Sequence, residues 1–171
     1  MNIFLVAVPA FIVMMTAYLL LDKFFQNEDK KRKLEMSLKN FSVLTPIRLR
    51  AYERLALLLE RTAPNALLSH TIKAEYSAQE LHAQLIKSIR QEFEHNLSQQ
   101  IYVSDELWEA IKSTEENLIK IINGCAGRMQ NKSATELAEV IIRIYAESGE
   151  TPTDVALNIL KQEMRNQFMQ A

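Results

Sequence analysis

The chain has 171 residues and a formal net charge of −1, with 20 Lys+Arg against 21 Asp+Glu, so no strong overall charge recruits nucleic acid or lipid. Three glycines and four prolines leave little material for sheets with tight turns, and the prevalence of Ala, Leu, Ile, Glu, Lys and Gln favours helices. One cysteine cannot make an internal disulfide, which fits a reducing compartment.

Residues 3–21 read IFLVAVPAFIVMMTAYLLL, nineteen positions without a charge. About 20 apolar residues cross a bilayer core as a helix, so residues 1–22 are expected to form a transmembrane helix. A cleaved signal peptide needs a basic stretch before the apolar run and small residues at a cleavage site after it. Met1-Asn2 offers no basic side chain and Leu20-Leu21-Asp22-Lys23 no small one. A buried helix of a soluble domain is the other alternative. Within the run, Ala7, Ala10, Met14 and Ala17 share one face, and its alanines would let two membrane helices approach closely. Pro9 removes one backbone donor.

No basic side chain precedes the run, and six Lys/Arg lie between Asp22 and Asn40. That asymmetry places the amino terminus outside and the remainder in the cytoplasm. Residues 22–64 hold ten Lys/Arg against six Asp/Glu, while residues 65–171 hold ten against fifteen. The first part is attracted to anionic lipid; the second is repelled by lipid and nucleic acid alike. Lys30-Lys31-Arg32-Lys33 is the densest basic patch. Its plainest role is the positive-inside signal, and contact with the membrane surface is the next. Nucleic acid is not an expected partner, because basic and aromatic residues do not interleave along a surface.

The anchor is expected to continue as a helical stalk to about Asn40, with residues 23–44 as basic stalk and linker. Leu34, Leu38 and Phe41 give it an apolar edge, suited to the domain or to a second copy, but too short to define a coiled coil. Thr45-Pro46 reads as the cap and first turn of a new helix that buries Tyr52, Leu55, Leu58 and Leu59 and stops before Pro64. Residues 65–76 read as irregular, with a short helical turn at 66–69. Ser77-Ala78-Gln79-Glu80 is a capping box opening a helix with Leu81, Leu85, Ile89, Phe93 and Leu97 on one stripe. Ile101-Tyr102-Val103 looks briefly extended. Ser104 caps the next helix, whose Leu107, Trp108, Ile111, Leu118, Ile121, Ile122 and Cys125 supply core. Ser133-Ala134-Thr135-Glu136 is a second capping box. Gly149 ends that helix, and Thr151-Pro152-Thr153-Asp154 starts the last, with Val155, Ile159, Met164 and Phe168 as its apolar face. No segment repeats another. The expected fold is all-α: the anchor and stalk, then a compact bundle of about five helices over residues 45–171.

Glu92 and His95 form an E-x-x-H on a helix, the spacing of ligands in carboxylate-bridged di-metal bundles. A second E-x-x-H is lacking, and Glu53 and Glu60 would have to complete the set, so a structural polar cluster is the plainer reading. Cys125 reads as a small core hydrophobe. There is no phosphate loop, nucleophile elbow or kinase signature, and so no catalytic residue, cofactor or small-molecule substrate is expected. Two polar clusters remain: residues 48–54, with Arg50 and Arg54, and the group of Glu92, Glu94 and His95. They either pair across two core helices as structural braces or form solvated, partner-facing surfaces. The pairing expected is Arg50 or Arg54 with Glu92 or Glu94.

The apolar span and basic stalk, followed by TPIRLRAYERLALLLERTAPNALL and IRQEFEHNLSQQIYVSDELWE, resemble an uncharacterised family of single-pass membrane proteins of the bacterial phylum Bacteroidota. The resemblance covers nearly the whole chain, most closely residues 45–68 and 89–109. It implies topology and helical content and assigns no functional residue. The expected function is that of a non-enzymatic inner-membrane adaptor or accessory subunit whose cytoplasmic domain binds another protein. The alternatives are a membrane-tethered metalloprotein using Glu92 and His95, and a self-associating structural protein.

Overall fold

The computed structural model describes residues 3–127, 129, 132–147, 149 and 151–168, with the backbone alone at 3–8 and 10. Every regular element among them is helical. In chain order they are α1 (Ile3–Thr62), α2 (Pro64–Thr71), α3 (Ala78–Asn96), a 3-10 segment (Leu97–Tyr102), α4 (Asp105–Ala126), α5 (Ala134–Glu147) and α6 (Pro152–Phe168). The chain divides into two compact units, Met1–Pro46 and Ile47–Ala171.

The first unit is a stretch of α1. Among the described residues no helix is long and apolar enough to cross a membrane. The nineteen-residue apolar run overlaps positions whose side chains, those of Ala7 and Ala10 included, lie outside the described residues. Met14 and Ala17, the other members of that face, are exposed, as are Lys30, Lys31, Arg32 and Lys33. The expected restart at Thr45-Pro46 does not occur, because α1 carries Pro9 and Pro46 inside it. Pro46 forfeits one donor, the bond that would reach the carbonyl of Ser42. Helix formers on both sides carry the helix past it.

The second unit is built around α4, which packs against α3, α5 and α6. Leu107, Ile111, Leu118, Ile122 and Cys125 recur every three, four or seven residues and are all buried. Thr114 occupies the remaining place on this stripe. Its hydroxyl lies 2.8 Å from the carbonyl of Ala110 and 3.0 Å from that of Pro152, so α4 is stitched to the start of α6. Tyr52, Leu55, Leu58 and Leu59 of α1 enter the same core, with Leu81, Leu85, Ile89 and Phe93 of α3.

The starts of α3 and α5 are joined. Ser77 and Ser133 form an antiparallel backbone bridge, with Ala78 N donating to Lys132 O at 3.0 Å and Ala134 N to Tyr76 O at 3.2 Å. Both helices open with Ser-Ala-x-Glu-Leu, a short repeat that the sequence reading passes over. Each serine and glutamate cap one another: Ser77 N donates to Glu80 at 2.8 Å, and Ser133 N to Glu136 at 3.0 Å. The two alanines and two leucines that follow are buried.

Three further elements differ from expectation. Residues 64–71 form a full short helix, because Pro64 is preorganised for a first turn and Leu67 and Leu68 find the core. Residues 101 and 102 close a 3-10 segment, and only Val103 is extended. Helix α6 buries Thr153, Ala156, Leu157 and Leu160, whereas Val155 is exposed. Small and polar members hid that stripe.

Candidate functional site

Two polar groupings organise the second unit, and each contains a residue of α1. The first centres on Glu163 of α6. Its carboxylate accepts from the Tyr52 hydroxyl at 2.6 Å, from Ser104 N at 3.0 Å and from Ser104 Oγ at 2.5 Å. Tyr52 also lies 3.2 Å from Gln167 Oε1 and meets the Phe168 ring edge-on. Burial, reinforced by the bond and charge of Glu163, pushes the Tyr52 phenol above its usual range, with Arg48 opposing. Arg48 itself donates through Nε to the carbonyl of Tyr102 at 3.1 Å. One carboxylate therefore ties α1, the N-cap of α4 and α6 together. The contacts join three helical elements, and in that way the arrangement braces the fold.

The second grouping lies along the exposed side of α1 and the neighbouring part of α3. Arg50, Arg54, Leu57 and Arg61 follow at intervals of four, three and four, so they share one face. Arg50 and Arg54 are exposed, and Leu57, one turn beyond Arg54, is 55% exposed. Arg61 Nη2 reaches Glu92 Oε1 at 2.9 Å. Arg61, Ser88, Gln91, Glu92 and His95 line a shallow groove there.

The expected pairing is therefore corrected. Among the described residues no ion pair joins Arg50 or Arg54 to Glu92 or Glu94, and Glu92 takes Arg61 instead. Helical geometry separates Glu92 from Glu94 by about 200°, so both cannot face α1. Glu94 acts on the α4 side, where it raises the Glu115 carboxyl. Burial is the larger cause of that rise, Glu116 adds to it, and Arg90 opposes it. His95 is exposed beside the groove.

Among the described residues, no three or more His, Cys, Asp or Glu side chains come together to hold a metal ion. Glu53 and Glu60 are exposed and do not complete a set with Glu92 and His95, and Arg61 already occupies the Glu92 carboxylate. His82 stands elsewhere, its Nε2 2.7 Å from Asn123 Oδ1, above a small hollow lined by Ala78, Gln79 and Met129. Cys125 is buried, in the core position expected of it.

Sequence reasoning missed Arg61, Leu57 and Glu163. The first two lie on the Arg50–Arg54 face and were recoverable by extending it two turns. Glu163 carries no local signal, because its partners lie 59 and 111 positions away in the chain.

No curated protein and no solved structure matches this chain. A family model does, over residues 1–167, and the chain belongs to that family of unknown function, DUF7935.

Proposed function

We propose that this protein is a non-enzymatic adaptor or accessory subunit of the bacterial inner membrane. The charge-free run at residues 3–21 would insert as a single transmembrane helix with its amino terminus outside, and the unit Ile47–Ala171 would bind another protein in the cytoplasm. The observation that carries the binding role is the Arg50, Arg54, Leu57 face. It holds two arginines without an ion pair among the described residues and, one turn beyond Arg54, a large exposed apolar side chain. Arginine is enriched in protein interfaces, and an exposed leucine beside it adds apolar area that a partner can bury. Lys30-Lys31-Arg32-Lys33 would lie at the inner lipid surface.

The reading is tested by cross-linking and affinity purification of the full chain from membranes, alongside the Arg50→Glu/Arg54→Glu variant. The expected result is a partner cross-linked within residues 50–61 that the folded variant no longer retains. Retention of every partner by the variant would remove this face from the binding role. Recovery of the chain alone under all detergent and salt conditions would remove the adaptor role itself.

A further inference from the structure

We infer that a second copy of this chain covers residues 23–45 of the first unit, in a parallel, in-register coiled coil. The unbroken course of α1 permits one heptad register to run through this stretch. Phe24, Lys31, Leu38 and Thr45 take the a positions, and Asn27, Leu34 and Phe41 the d positions. Phe24, Leu34, Leu38 and Phe41 are 61%, 61%, 60% and 62% exposed. A helix of the first unit packs on no other element of that unit, so this seam has no cover within it. Most helical stability in proteins comes from packing of an apolar face, and a partner for this stripe supplies it.

Charge chooses the occupant. The g positions flanking the seam are Lys23 and Lys30, and the e positions are Glu28 and Glu35. In a parallel coiled coil each g residue faces the e residue five places later on the other helix. Lys23 then meets the second copy's Glu28, and Lys30 its Glu35, twice over by symmetry. An antiparallel pair would place lysine against lysine and glutamate against glutamate. The sequence is thus self-complementary in one orientation only. Asn27 and Lys31 interrupt the apolar seam, as polar core residues do where they fix register at some cost in stability. A lipid surface is the weaker occupant. Lys30-Lys31-Arg32-Lys33 steps by about 100° per residue, so its charges encircle the helix instead of defining one wet side. The inference does not rest on the adaptor reading or on membrane insertion.

The test uses the full chain in detergent, with self-association followed by energy transfer between labelled copies. Lys23→Glu/Lys30→Glu makes all four flanking residues acidic, and Glu28→Lys/Glu35→Lys makes all four basic. Each variant alone should self-associate at least about tenfold more weakly than the parent. An equimolar mixture of the two restores every opposite-charge pair and should recover parental affinity within about threefold. Either variant associating like the parent, or a mixture that fails to recover, overturns the inference, as does a parent chain that stays monomeric. Oxidative cross-linking is the second measurement. Leu34→Cys, on the seam, should give a covalent dimer, whereas Met36→Cys, at the f position, should not. Equal yields from the two, or none from Leu34→Cys, would also overturn it.

Discussion

Glu92 could face any of several arginines of α1, and it takes Arg61, two turns beyond Arg54. The choice follows from height along the axis, since the three arginines share a face: Arg61, in the last turn of α1, is level with Glu92 near the end of α3. The Arg61 and Glu92 side chains are 62% and 25% exposed, so their coupling should be modest, about 0–1 kcal/mol in a double-mutant cycle with alanine. Arg54→Ala and Glu94→Ala should be additive within about 0.5 kcal/mol, because these groups do not meet. A larger coupling for the second pair than for the first would refute the assignment. Two other carboxylates should show opposite pH signatures. Ser133 N–H bonds, helped by Lys132, hold Glu136 down at about 2 from its ordinary 4.5. A depressed acid adds stability above its unfolded value and loses it as pH falls from about 4.5 towards 2. Glu136→Gln should flatten the acid limb of a melting-temperature profile in that window. Glu115 is raised by burial, so its ionisation opposes folding as pH climbs past 4.5. Glu115→Gln should therefore melt higher than the parent at neutral pH and converge with it in acid.

Helix identity was legible wherever apolar spacing and a cap agreed. Ser77, Ser104 and Ser133 all cap the helices that their sequences announce, and the stripes of α3 and α4 are the buried ones. Thr45-Pro46 failed as a boundary because α1 runs through it, so the interior proline's lost bond and steric cost of about 3 kcal/mol do not end this helix. The α6 face was legible in part: Ile159, Met164 and Phe168 pack against the core as expected, but Val155 is exposed, and the small or polar Thr153 and Ala156 of the buried stripe carry no apolar signal. The site was less legible still. Glu163 joins three elements through contacts distant in sequence, which no local pattern encodes. Its removal should act on α6 more than on the rest of the bundle. Glu163→Ala leaves the Ser104 amide without its acceptor and the Tyr52 hydroxyl with Gln167 alone, a loss of about 1–3 kcal/mol. Amide exchange along α6 should accelerate more than exchange along α3. Uniform acceleration in both helices would show that Glu163 supports the whole core instead of fastening one helix.

At the scale of the molecule, the division at Pro46 and Ile47 separates two kinds of stability. Among the described residues the buried core lies within Ile47–Ala171, whereas the described side chains of the first unit are largely exposed to solvent. Residues 47–171 alone should keep a cooperative melt in plain buffer, since every buried core side chain among the described residues lies within them. The first unit then needs cover of its own: lipid for residues 3–21 under the proposal above, and a second helix for residues 23–45. The two covers are separable by salt. At 1 M salt the screening length falls to about 3 Å, which releases proteins held on a membrane only by surface charge. An inserted helix is held by apolar transfer and is not released. In flotation with vesicles containing anionic lipid, the full chain should rise with the lipid at low salt and at 1 M salt alike, and residues 47–171 should stay below in both. Reversing Lys30, Lys31, Arg32 and Lys33 to glutamate should leave flotation at 1 M salt unchanged, because insertion does not depend on those charges. Release of the full chain by salt would mean that the basic run and not the apolar one makes the contact, and residues 3–21 would then need a protein partner to cover them.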